Sequence, residues 1–149
     1  MHLDDTAHIL GTADFFSICN LEQRRMLAFA SDRVRLSSGE MLFEKGQVTD
    51  GAYVLVSGEL VVKGTPGTEE KDVAIMHPGT VMGQLALITR HPRRATIVCV
   101  SAAELLLVPR SAFSKLMEQF PDVARRAVEL IRNDIGAYVA PLREAVRKG

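Results

Sequence analysis

The chain is poor in cysteine, has no excess of either charge and carries no long apolar run. Only two cysteines, Cys19 and Cys99, occur in 149 residues, far apart and without a Cys-x-x-Cys spacing. Iron–sulfur ligation needs about four, so that chemistry is excluded and two reduced, buried thiols in a cytoplasmic protein are expected. Lys+Arg and Asp+Glu stand at 18 each, which gives no electrostatic reason to expect nucleic acid as a partner. No apolar stretch reaches the ~20 residues of a membrane span. The opening MHLDDTAHIL is acidic and lacks the basic segment of a secretory signal. His2, His8, His77 and His91 are scattered, without metal-ligand spacing. No nucleophile–base pair stands out, so neither a metal site nor an enzyme is expected.

What is present is a chain 47% apolar with no low-complexity tract. It is long enough to bury a substantial core as one domain over 1–149. Residues 1–31 read as helical. Asn20-Leu21-Glu22-Gln23 has the form of a capping box, opening an amphipathic helix to about Ala30 through Leu21, Leu27 and Ala28. Phe15 and Phe16 ahead of it are expected to pack onto the domain. Residues 32–109 read as roughly eight short strands, punctuated at Ser37-Ser38-Gly39, Lys45-Gly46, Ser57-Gly58, Gly64-Thr65-Pro66-Gly67 and His77-Pro78-Gly79. Tyr53–Val56 and Leu60–Val62 are expected to flank Ser57-Gly58 as a hairpin. Val73–Met76, Thr96–Val100 and Leu105–Val108 complete a barrel or roll. Residues 110–149 read as helical again. Ser111 is the expected cap of a helix to about Phe120, and Pro121 suits the start of the next. On that helix Val123, Ala127, Leu130, Ile131, Asp134, Tyr138 and Leu142 form one stripe, with a weakening at Gly136 and Pro141. The mixed charges from Asp122 to Lys148 read as a solvated face, and no further domain is expected beyond Gly149.

Chemistry concentrates in Met82-Gly83-Gln84-Leu85-Ala86-Leu87-Ile88-Thr89-Arg90-His91-Pro92-Arg93-Arg94-Ala95-Thr96. Gly83 permits a tight turn and a close backbone approach to a ligand. Leu85–Ile88 can form one helical turn whose free N–H groups point at an anion. Arg93 supplies a planar, permanently charged fork suited to phosphate oxygens. Together these read as an anion cradle.

This segment resembles the phosphate-binding cassette of the cyclic-nucleotide-binding domain family, in which Phe-Gly-Glu-Leu-Ala-Leu is followed by a loop and Pro-Arg-x-Ala-Thr. Gly39-Glu40, Glu44-Lys45-Gly46, Tyr53–Gly58 and Pro78-Gly79 match the family's β-roll as well, so the resemblance runs from about Leu10 to Val139. It implies a mainly β fold, an eight-stranded double-stranded β-helix or jelly roll, with N-terminal helices and two C-terminal helices that act as hinge and lid. It implies a cytoplasmic module in signal transduction that binds a cyclic nucleotide, cAMP or else cGMP, needs no cofactor, and moves its C-terminal helices when occupied.

By the same resemblance Arg93 binds the cyclic phosphate, while the backbone amides at Leu85 and Ala86 face it and the small Ala86 lets it sit close. Ala95 belongs to the same frame. Met82 replaces the family's Phe as an apolar wall. Gln84 stands where most relatives have Glu, and its amide oxygen would accept the ribose 2′-hydroxyl without charge assistance. Arg94, where relatives carry a small residue or Thr, either points to solvent or adds a second guanidinium. Tyr138 either stacks on the base as a lid or packs against the roll or a partner helix. A protein effector or a second copy, engaged through the C-terminal helices, is the implied partner. The alternative is a structural or protein-interaction module on the same fold that binds no nucleotide.

Overall fold

The computed structural model describes residues 3–132. Two helices lead the chain, α1 (Leu3–Thr12) and α2 (Leu21–Ala30), joined through a 3₁₀ turn at Asp14–Ile18. The α2 cap is the expected box: Asn20 Oδ1 accepts the Gln23 N–H at 2.8 Å, and Gln23 Oε1 accepts the Asn20 N–H at 2.9 Å. Leu27 and Ala28 are buried beneath α2, whereas Leu21 is 48% exposed and leaves the apolar face.

Among the described residues six strands follow, rather than the roughly eight expected: β1 (Asp32–Leu36), β2 (Met41–Phe43), β3 (Gly51–Val62), β4 (Val73–Ile75), β5 (Val81–Met82) and β6 (Ile97–Pro109). The class is the expected one, a mainly β roll with flanking helices. The count falls because β3 and β6 are each long strands that serve both halves of the roll. They pair antiparallel with each other along most of their length. β6 takes β1 on its C-terminal half and β2 on its N-terminal half. β3 takes β5 near its start and β4 near its end.

The expected hairpin at Ser57-Gly58 is therefore absent. Both of its arms belong to β3 and pair with β6, with register shifts between Leu55 and Leu60. Gly58 has φ 96°, and a Cβ there would lie 2.5 Å from Ala102 O. It is a bulge where β3 presses on β6, not a chain reversal. The bulge changes the phase of the strand. Before it, even-numbered Ala52 and Val54 join the core under the helices, while odd-numbered Tyr53 and Leu55 face the roll interior. After it, even-numbered Leu60 and Val62 face the interior. A one-residue shift moves every later side chain to the other face.

Two cores result. One lies between the sheet and the helices, where Leu10, Phe16, Leu27, Val108 and Phe113 pack together. Phe15 and Phe16 meet edge to face with centroids 5.1 Å apart, and Phe15 lies 5.8 Å from Phe113. The other fills the roll with Phe43, Leu55, Leu60, Met82, Ile97, Cys99 and Leu105. Cys19 and Cys99 are free and buried, one in each core.

A 3₁₀ turn at Gln84–Leu87 follows β5. Helix α3 (Arg110–Gln119) leaves β6 directly. Its N-cap is Pro109, with no side-chain cap, so Ser111 does not take that role. The Arg110 N–H instead donates to Asp50 O at 2.7 Å. A further helix, α4, starts at 121 as expected and continues to 132, with Val123, Ala127 and Ile131 buried. Leu130 is half-buried against the same core, and Asp134, Gly136, Tyr138, Pro141 and Leu142 lie outside the described residues. Among the described residues no helix is long and apolar enough to cross a membrane, and no three His, Cys, Asp or Glu side chains gather as metal ligands.

Candidate functional site

The site is built where β5, the short turn after it and the loop before β6 meet the start of β3. Met82 ends β5, pairs with Tyr53 and is buried in the roll core. Gly83 has φ 81° and ψ 50°, the left-handed region in which a side chain is strained. It caps the turn Gln84–Leu87, and the Ala86 N–H donates to Gly83 O at 3.0 Å. The Ala86 amide thus closes the turn in this structure. Ala86 and Leu87 are buried, Leu85 packs on the helix-side core, and Gln84 is half-buried.

Arg93 is drawn into this corner from the far end of the loop. Its backbone is clamped by the β2–β3 connection: its N–H donates to Gln47 O and its carbonyl accepts the Gly46 N–H, both at 2.8 Å. Next to it the Lys45 N–H donates to Thr96 Oγ1 at 2.9 Å. The side chain points inward and the residue is only 7% exposed. Nη2 donates to Thr49 Oγ1 and to Gly51 O, and Nη1 reaches Met82 O at 3.4 Å. The guanidinium lies 4.3 Å over the Phe43 ring and 5.9 Å from the Tyr53 ring, a cation–π arrangement.

All of these partners are neutral. The ion pairs of the described residues, Arg25–Asp4, Arg33–Glu104, Arg35–Glu104, Lys63–Asp72 and Arg125–Asp122, lie elsewhere. Arg93 Nε is buried without a hydrogen-bond partner. Burial pushes the Arg93 pKa down to about 10, with Tyr53 opposing and the Arg110 cation adding to the fall. The group is still charged at neutral pH. A buried, uncompensated cation is expensive to maintain, and its chemistry is that of an anion receptor.

Of the residues expected at the site, Met82, Gly83 and Arg93 touch one another directly, with Gln84, Leu85 and Ala86 on the adjoining turn. Arg94 is exposed and Ala95 half-buried. Tyr138 lies outside the described residues. Phe43, Thr49, Gly51 and Tyr53 were not expected. Thr49 sits 44 residues from Arg93 in the chain, and only the sheet brings them together.

Against this geometry, the sequence profile described as the cyclic nucleotide-binding domain matches residues 33–120. The chain belongs to that family. The domain is 30% identical over 111 residues to the "cAMP-dependent protein kinase regulatory subunit" of Dictyostelium discoideum, covering 72% of this chain and 34% of the relative. It thus spans about a third of that relative. A solved "Cyclic nucleotide-binding-like protein" from Brucella abortus is 35% identical, covers 77% of this chain and 99% of its own, and superposes with a TM-score of 0.64. The regulatory domain of Toxoplasma gondii protein kinase A, solved with cAMP, shares the fold at 19% identity and a TM-score of 0.72, covering 91% of this chain and 50% of its own. The cyclic-nucleotide-binding domain is a regulatory, non-catalytic module.

Proposed function

We propose that this domain is a cytoplasmic receptor for a cyclic nucleotide, with cAMP as the first candidate and cGMP as the second. The observation that carries the reading is Arg93: a charged guanidinium held in the interior on neutral partners, with Nε unpaired and no carboxylate partner among the described ion pairs. A cyclic phosphodiester brings the missing negative charge and two exocyclic oxygens, and a charge-assisted bond in this dry corner is stronger than one in water. In this reading Gln84 accepts the ribose 2′-hydroxyl, and Gly83, Leu85 and Ala86 supply the close wall beneath the phosphate, with Met82 and Ala95 beside them. Arg94, being exposed, contributes through its backbone. The base lies toward the C-terminal helices, where Tyr138 covers it. Occupancy draws those helices onto the roll, and the output passes to an effector protein or a second copy of the chain.

One feature favours a second reading, a protein-interaction module that needs no nucleotide. Arg93 Nη2 already has two internal acceptors, Thr49 Oγ1 and Gly51 O. Isothermal titration of the purified domain with cAMP and cGMP separates the two. The receptor reading expects saturable heat from at least one nucleotide. No heat and no thermal shift at millimolar ligand would overturn it.

A further inference from the structure

We propose that Thr49 is the positioning residue for the oxyanion-binding arginine: its hydroxyl anchors Arg93 Nη2, so that the donors on Nε and Nη1 are left for the ligand. The inference rests on the receptor reading above and adds a residue that the cassette does not contain. Thr49 is 6% exposed. Its Oγ1 donates its single proton to Gly51 O at 3.1 Å. The lone pairs of the oxygen are therefore what Nη2 meets, and the polarity of the contact is fixed. Nη2 also donates to Gly51 O, which commits both of its protons. Of the five guanidinium donors, the one on Nε has no partner and the two on Nη1 have only the long contact to Met82 O.

The anchor is itself held from the other side. Thr49 O accepts from Arg110 Nη2, and Asp50 O accepts the Arg110 N–H at 2.7 Å. Gly51 lies so close to the end of β6 that a Cβ would stand 1.9 Å from Val108 O. Segment 49–51 is thus wedged between Arg93 and the first residue of α3. Thr49 cannot shift without disturbing that helix start. A guanidinium tethered at one nitrogen to so fixed an oxygen keeps its remaining edge in one orientation, and such preorganisation reduces what binding must order.

Thr49→Val keeps the branched shape and removes the hydroxyl, while Thr49→Ser keeps the hydroxyl and removes a methyl. Two measurements judge them, with Thr49→Ala replacing the valine variant if that does not fold. Arginine side-chain ¹⁵N NMR of the ligand-free domain reads rotation of the Arg93 guanidinium. Titration with cAMP reads affinity. In T49V the guanidinium is expected to rotate faster and cAMP affinity to fall about tenfold, the loss of one hydrogen bond to a charged group. T49S is expected to match the wild type in rotation and to bind within about threefold of it. Unchanged rotation or unchanged affinity in T49V would overturn the proposal, as would an equal loss of affinity in T49S and T49V. A wild-type domain that binds neither cAMP nor cGMP would overturn the receptor reading instead, and the rotation measurement would still decide whether Thr49 anchors Arg93.

Discussion

Arg93 Nη1 stands 1.1 Å from the point that a Cβ on Gly83 would occupy. The two residues share one space, so Gly83 and Arg93 form one unit across a ten-residue separation. Gly83→Ala must therefore do two things. It places a side chain at φ 81°, which costs roughly 1–2 kcal/mol. It also expels the guanidinium from its seat. The expected outcome is a lower melting temperature together with loss of cAMP binding. An alanine variant that binds cAMP as the wild type does would show that the guanidinium is not needed where it lies.

Removing the cation separates stability from binding. Arg93→Ala is expected to weaken cAMP binding by roughly 2–4 kcal/mol, because it strips a desolvated phosphate of its charge partner. Arg93→Met removes the charge and keeps much of the apolar volume against Phe43 and Met82. Replacing buried ionic groups by apolar ones is often neutral or stabilising, so this variant is expected to melt at or above the wild-type temperature without ligand and to show no thermal shift with it. Calorimetry with and without cAMP checks both. A methionine variant that melts well below the wild type would mean that the hydrogen bonds to Thr49 and Gly51 outweigh the burial of the charge.

That Gly83 and Arg93 belong to one segment was legible in the sequence, because the cassette is local and its spacing is kept. Their relation was not, since a surface turn and an interior guanidinium read alike in one dimension. Thr49 and Tyr53 reach Arg93 through pairing of β3 with β6 and β5, and Phe43 through pairing of β2 with β6, and nothing near residue 93 signals them. The strands were legible as alternating runs, but Gly58 was misread. A glycine at positive φ serves a hairpin or a bulge equally well, and only the change of phase from Leu55 to Leu60 tells them apart. Ser111 looked like a helix cap because its chemistry suits one. The carbonyl of Asp50 takes the first N–H of α3 instead, a tertiary partner that no local pattern encodes.

Gln84 sets the ribose contact in the receptor reading, and its amide accepts without charge. Gln84→Glu is expected to tighten cAMP binding by about 1 kcal/mol, the difference between charged and neutral hydrogen bonds. An analogue methylated at the 2′-oxygen has no proton to donate and should gain little. Titration of both variants with both ligands gives the comparison, and equal gains would mean that residue 84 does not face the ribose.

Cys19 sets an alkaline limit. Burial pushes its thiol up from the ordinary value of 9 to about 11, with Arg24 opposing. The folded state therefore keeps a proton that the unfolded chain gives up. Below pH 9 both states are protonated and the full contribution to stability is present. As pH rises from 9 to about 11 the unfolded state is favoured, by up to roughly 3 kcal/mol. Arg93 acts oppositely at higher pH, because its folded pKa is depressed to about 10 and stability rises as it deprotonates. Comparison with Cys19→Ala isolates the thiol. Denaturant unfolding at pH 8 and about pH 10.5 should show a smaller loss in the variant than in the wild type, and equal losses would remove Cys19 as the cause.

Helix α4 should respond to ligand more than β3 does. Over 121–132 it is held by one buried row, Val123, Ala127 and Ile131, while Asp122, Arg125, Arg126 and Glu129 face outward or lie at the margin. β3 is paired along its length with β6 and with two further strands. An element docked along one stripe opens at lower free energy than a strand inside a sheet. A nucleotide that fills the space between the roll and the C-terminal helices gives that stripe a better surface, so its amides should exchange more slowly. Hydrogen exchange with and without cAMP is expected to show protection rising over 121–132 by more than over 51–62. If protection rises only over 83–96, ligand is held by the cassette alone and α4 does not report it. Its buried row would then be a constitutive part of the core, and the output of the domain would have to leave by another face.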